Sequence, residues 1–211
     1  MLPPMATLGP PGWDLRGDVR CRIEVAGVSI DVLADVVHDE VARRISDGPA
    51  PGALDWRQLG ALSLLPYGVP IPWIEVDLDT RLLIDGLPPG AVIAYERHVE
   101  RRWQPALELR AISSTSATPH PALDDISMFA AVAPRVLTLT VAPRDAAVLA
   151  YRAAHRGVAV LVETGDEVQM LAGPPSIDKV RDDARRWEFA EIAYAALQDG
   201  ATPAPPSMAA G

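Results

Sequence analysis

Three carboxylates at alternate positions, Glu75, Asp77 and Asp79, are of a type and spacing that suit chemistry. Ile74, Val76 and Leu78 lie between them, so Trp73 to Asp85 reads as a long strand with the acids on one side. A row of hard oxygen ligands suits Mg2+ or Mn2+. With His38 or His98 as a further ligand, such a row would serve a divalent-metal-dependent hydrolase or phosphodiesterase. Same-face neighbours on one strand lie about 6–7 Å apart, so a single ion needs ligands from elsewhere too. The solvent side of a half-buried strand explains the same pattern and is the preferred reading.

Two further constellations carry the right residue types. His38, Asp39 and Glu40 place a histidine beside two acids, but helical spacing turns Asp39, Glu40 and Arg43 toward solvent, with Asp39 and Arg43 one turn apart. Ser113, Ser114, His120 and Asp124 hold the members of a hydrolytic triad, in a Pro- and Ser-rich stretch with no strand–turn–helix scaffold to orient them. Cys21 is the one cysteine. It alternates with polar residues between Val19 and Val25 and reads as a small core residue rather than an activated thiol. The sequence has no phosphate-binding glycine loop, no CxxC, no HExxH and no GxSxG elbow.

Binding residues are easier to find. Tyr95, Arg97, Arg101, Arg102 and Trp103 concentrate cations and aromatic rings, the side chains enriched at interface hot spots. Glu96 and Glu100 partly neutralise them. The segment from Leu65 to Trp73 is apolar yet rich in proline, so it either plugs the core or offers Tyr67 and Trp73 to a partner. Arg181, Arg185 and Arg186 form a weaker basic face, diluted by Asp182 and Asp183.

The elements that must position these residues follow from periodicity. Val19 to Val25 and Val28 to Val32 alternate around Ala26-Gly27, as a hairpin does. Leu33, Val37, Val41 and Ile45 recur every four residues and predict a helix ending at Gly48-Pro49. Asp55 caps a short helix carrying Trp56, Leu59 and Leu62. Strands are expected at Trp73 to Asp85, Ala91 to Val99 and Trp103 to Ile112. Beyond a polar linker, Ser113 to Asp125, come a strand at Arg135 to Val141 and a helix at Pro143 to Arg156, with Ala147, Ala150, Tyr151 and Ala154 on one face. Val158 to Val162, continuously apolar, reads as a strand buried on both faces. A short strand at Val168 to Ala172 and a helix at Ser176 to Leu197 follow. The first strand–helix–strand unit suits either a parallel crossover or an antiparallel arrangement.

The predicted fold class is α+β: an antiparallel meander in the N-terminal and middle part, then a strand–helix–strand–strand–helix segment. Residues 13–112 and 126–199 are expected to pack as one domain around the 113–125 linker, with tails at 1–12 and 200–211 too poor in packable side chains to order.

Composition narrows function. Hydrophobic residues make up 49% of the 211, enough for a core, and the net charge is −9. Both halves carry more acids than bases, which argues against nucleic acid. No apolar run is long enough for a membrane span and the N-terminus lacks a secretory pattern, so a cytoplasmic protein is expected. Lys179 is the sole lysine and asparagine is absent, a bias that fits a GC-rich genome. These features point to a non-enzymatic protein-binding, assembly or accessory protein of a GC-rich bacterium or its phage, with a protein partner or self-association and no cofactor. The alternatives are the metal-dependent hydrolase, with Mg2+ or Mn2+, and a small-ligand sensor built on the C-terminal segment.

Overall fold

Val19–Val25 (β3) and Val28–Val36 (β4) form the expected hairpin, with Val25 opposite Val28. Its two turn residues, Ala26 and Gly27, have φ of 53° and 78°, the left-handed pair that matches the twist of the flanking strands. This computed structural model describes residues 6–7, 16–47, 54–165, 167–173 and 183–200.

Strand β4 runs four residues further than the helical spacing of Leu33 suggests. Leu33 pairs with Arg20 on one side and with Ala111 of Leu107–Ser116 (β8) on the other. Two ladders of backbone hydrogen bonds outweigh a local period, so the helix starts only at His38–Asp47 (α1). Ile45, expected on its buried face, is exposed, whereas Glu40, expected in solvent, is fully buried.

The main sheet has the order Glu167–Ala172 (β11), Val158–Thr164 (β10), Arg135–Leu139 (β9), β8, β4, β3. Its centre is parallel: β8, β9 and β10 run the same way. Pro119–Ser127 (α4) and Ala146–His155 (α5) make the two crossovers. Strand β11 closes one edge antiparallel to β10, and the β3–β4 hairpin closes the other. The fold is thus α+β, with both helices and strands and a mostly antiparallel pattern around this parallel centre.

The stretch expected as a linker is built into this sheet. Ser113 to Ser116 finish β8, with Ser113 opposite both Asp31 and Val136. Pro119 opens α4, where its fixed φ and missing N–H cost nothing. Polarity was a poor guide here because backbone pairing on both sides holds the strand whichever side chains it carries: Ser113 is buried while Thr115 stays exposed.

Helices α4, α5 and Asp183–Gln198 (α6) cover one face of the sheet. Leu123, Ile126, Leu149, Ala153, Phe189 and Ala193 meet Ile23, Ile30, Leu137, Val158 and Val160 there. On α6, Trp187 and Ala193 point inward as the spacing predicts; Ile177 and Val180, expected on the same helix, lie outside the described residues. On α5 the inward residues are Leu149 and Ala153, not the Ala147–Tyr151–Ala154 face, and Tyr151 is 75% exposed. Alanine is small enough for either side, so its periodicity did not mark the core. Gly157 ends α5 at φ 65°.

The opposite face buries Leu33, Ala111, Val136, Ala159 and Leu161. Arg16–Gly17 (β2) lies against it, and a Cβ on Gly17 would sit 2.8 Å from the Ala34 carbonyl oxygen and 3.0 Å from Leu33 Cγ. Ala6–Thr7 (β1), within the stretch expected to be a tail, pairs with β2; the rest of residues 1–12 and all of 201–211 lie outside the described residues.

The middle of the chain departs furthest from the expected meander. Trp56–Leu64 (α2) is followed by Ile71–Pro72 (β5), a 3-10 turn at Trp73–Glu75, and an α-helix at Leu78–Asp85 (α3). Val92–Ala94 (β6) and His98–Arg101 (β7) then form a separate antiparallel sheet with β5, in the order β5-β7-β6. Leu65, Val76, Ile84 and Val99 are the core of this small unit, and Leu59, Leu62, Ala91 and Trp103 pack it onto Trp187 of α6.

Candidate binding surface

Helix α3 exists because Asp77 starts it. The Asp77 carboxylate accepts from Thr80 N–H at 2.9 Å and from Thr80 Oγ1 at 2.6 Å, an N-cap that fills an otherwise unmet backbone donor. The two Thr80 bonds hold the Asp77 carboxyl below the usual carboxylate range. Thr80 and Ile84, one turn apart, bury the inner face. The alternation of Ile74, Val76 and Leu78 imitates a strand, but only Val76 of the three is buried.

The predicted carboxylate row is therefore not a row. Glu75 ends the 3-10 turn, Asp77 is spent on the cap, and Asp79 sits in the first turn of the helix. Among the described residues no three His, Cys, Asp or Glu side chains are grouped to hold a metal ion. His38 opens α1, on another part of the fold.

What this segment offers instead is exposed apolar surface. Ile74 is 88% exposed, Leu78 69% and Leu82 64%. Leu78 and Leu82 are four residues apart and share the outer face of α3. Leu64, Tyr67 and Val69, on the end of α2 and the following loop, are also exposed.

The element carrying these side chains is firmly held. Arg81 Nε donates to the Val76 carbonyl at 2.8 Å and its Nη2 to the Trp73 carbonyl, tying the 3-10 turn to α3. Asp55 caps α2 through a full capping box, accepting from Arg57 and Gln58 N–H while Gln58 Oε1 accepts from Asp55 N–H. Gln58 Nε2 then reaches the Gly86 carbonyl at the end of α3.

The expected Arg and aromatic surface is divided. Tyr67, Tyr95, Arg97 and Arg102 are exposed. Trp73 is half-buried, packs on the small core and donates from Nε1 to the Tyr95 carbonyl. Trp103 is only 4% exposed, so it belongs to the core beside Leu59 and Trp187 and not to any surface. Arg102 pairs with Glu100, which also accepts from Tyr95 Oη.

Arg101 is a special case. Its guanidinium lies between the Tyr67 and Trp187 rings, 6.0 and 5.4 Å from their centroids. Nη1 donates to the Leu62 carbonyl near the end of α2. Burial lowers its pKa, and among the described residues no carboxylate lies within ion-pair distance. The residue lines a cleft of about 420 Å³ with Ser63, Glu108, Asp183, Arg186 and Trp187. A second cleft, of about 450 Å³, lies between Trp56, Met128, Phe129, Arg185 and Phe189. The first opens at the start of β8 and the second by the turn into β9. Neither is at the carboxyl ends of the parallel strands, where a sensor of doubly wound type holds its ligand.

The triad types do not assemble. His120 Nδ1 accepts from Arg152, a donor-only group, so Nε2 carries the proton and donates to Asp145 at 2.8 Å. Asp124 is taken by Arg152 and Arg156, which hold its carboxyl below the usual range. Ser113 is buried in β8, and His120 hydrogen-bonds to Asp145 and Arg152 rather than to either serine. With both nitrogens engaged, His120 staples α4 to α5 and has no lone pair left for a hydroxyl proton.

No family model matches the chain, and no curated protein or solved structure is significantly similar to it. No helix among the described residues is long and apolar enough to cross a membrane.

The Leu78–Leu82 face escaped the sequence reading, though its signal was present. Asp77 and Thr80 have the spacing of an N-cap, and Thr80 with Ile84 and Leu78 with Leu82 have the period of a helix. The strand alternation overlapped both.

Proposed function

We propose that this chain is a protein-docking module that engages its partner through the outer face of α3 and the turn before it. The observation that carries this reading is the exposure of Ile74, Leu78 and Leu82 on a pinned element. Leaving large apolar side chains in water forgoes about 1.5–3 kcal/mol for each one that burial would gain, and exposed apolar clusters mark association sites. A capped, cross-tied helix also has little left to lose on binding, which favours affinity.

The test is photo-crosslinking in cells that make the protein, with a benzophenone amino acid at position 78 and, as control, at the exposed position 151. A discrete adduct from 78, absent from 151 and lost when Leu82→Asp is added, is the expected result. No adduct from 78, or the same adducts from both positions, sets the reading aside.

A further inference from the structure

The charge around the docking face specifies its partner. We infer that α3 receives a basic amphipathic segment of another protein, with apolar side chains at helical spacing bordered by Lys or Arg. The inference rests on the docking reading above and adds the partner's chemistry.

Helix geometry sets three carboxylates beside the apolar residues. Asp79 follows Leu78 by one residue, about 100° around the axis, at one border of the stripe. Asp85, three residues beyond Leu82, continues the same outer face into the next turn. Glu75 is the immediate neighbour of Ile74. All three acids are exposed, and none has an ion-pair partner among the described residues.

The one cation of α3, Arg81, is half-buried and directs Nε and Nη2 to the carbonyls of Val76 and Trp73 rather than to a carboxylate of this face. Arg97, on the nearby β6–β7 turn, is accompanied by Glu96. The face is thus apolar in its centre and negative at its border, on a chain whose net charge is −9.

That pattern decides among occupants. A second copy joined face to face by a two-fold axis would bring the acidic borders of both copies, six carboxylates in all, into one interface without a matching set of cations, and like charges gathered there disfavour it. Phosphates of a membrane or nucleic acid are repelled for the same reason. A segment with leucine-like residues on one side and Lys or Arg along the edge buries the stripe and neutralises its border.

The test uses two fluorescein-labelled helical peptides, one of leucine and lysine and one of leucine and glutamate, titrated with the full chain and followed by anisotropy. The lysine peptide should bind about tenfold tighter, as three exposed ion pairs provide, and the margin should shrink with salt. The triple variant Glu75→Lys, Asp79→Lys, Asp85→Lys should invert the preference. The double variant Leu78→Asp, Leu82→Asp should lose the lysine peptide although it is more acidic; circular dichroism confirms that each variant is folded.

Equal binding of both peptides, lost in the double aspartate variant, overturns this inference and leaves the docking reading standing. Lysine-peptide binding that strengthens in that variant reports diffuse charge and overturns both. Failure of both peptides to bind overturns the partner chemistry. A dimer in sedimentation that the aspartates dissociate makes the occupant a second copy and overturns it as well.

Discussion

Arg44 on α1 and Glu191 on α6, 147 positions apart, meet as a bidentate pair, with Nη1 2.7 Å from Oε2 and Nη2 2.8 Å from Oε1. Arg44 Nε also bonds Glu40 at 2.7 Å, and Nη2 reaches the Gln104 carbonyl at 3.0 Å. Trp187 Nε1 donates to Glu191, and the Arg44 guanidinium lies over Tyr194. Burial opposes the charge on Arg44, but Glu191 and Glu40 outweigh it and raise the pKa. One side chain thereby fixes α1, the chain entering β8 and α6 in a single arrangement.

Replacing Arg44 by Met should therefore destabilise the protein by about 3 kcal/mol, because Glu191 would lose its bidentate counter-charge while Glu40 keeps only Arg43, at 2.7 Å. Urea unfolding should show a lower midpoint with an unchanged slope. Adding Glu191→Gln should recover part of the loss, since the cost lies in that stranded charge, whereas Glu40 retains its pair with Arg43. A loss under about 1 kcal/mol for Arg44→Met would show that the network is solvated and weak.

This network shows what the sequence withheld. Glu40, Arg43 and Arg44 have the spacing of a solvated helix face, and no local rule reveals that α6 returns to cover them. The hairpin at Ala26-Gly27, the Asp55 cap and the buried run Val158 to Val162 were legible because turn chemistry, capping and double-sided burial leave local marks. The Trp73 to Asp85 segment was not, because a period of two and a period of four coexist there and the deciding bonds belong to Asp77 and Arg81. The parallel centre was open in the sequence too: strand–helix–strand order allows either sense, and long-range pairing of β8 with β9 decides it.

Asp77 gives a direct check on the carboxylate reading. As an N-cap it should matter for stability and not for metal. Asp77→Ala should lower the melting temperature by the same amount in EDTA and in millimolar Mg2+ or Mn2+, and Asp77→Ser should restore much of the loss. A stabilisation of the wild type by either ion that vanishes in Asp77→Ala would return these acids to a metal site.

Cys21 should be inert until the protein opens. It is 1% exposed, and its Sγ–H points at the Ala193 carbonyl 3.8 Å away. Burial, and then the charge of Asp31, push the thiol pKa up to about 11. At pH 8 about one molecule in a thousand would hold the thiolate that reacts. Ellman's reagent should label the native protein slowly and the urea-unfolded protein at once. Fast native labelling would mean that the β3–α6 contact opens freely.

Asp31 sets the acid limit of the main sheet. It is buried between Arg20, at 2.7 Å, and Arg22, at 2.9 Å. Burial works against its charge, but the hydrogen bonds and charges of Arg22 and Arg20 more than offset this and hold the carboxyl below its usual range. A carboxyl with a lowered folded pKa contributes its stabilisation fully above the ordinary value, and that contribution drains away as pH falls through the folded one. Asp31→Asn should cost about 2 kcal/mol at pH 7, because Arg20 would lose its ionised partner inside the hairpin. The gap between wild type and variant, read from urea midpoints, should stay constant down to about pH 4 and narrow below it as the wild-type carboxylate protonates. A gap that does not change between pH 7 and pH 2.5 would mean that shape, and not charge, is what Asp31 contributes to the β3–β4 ladder.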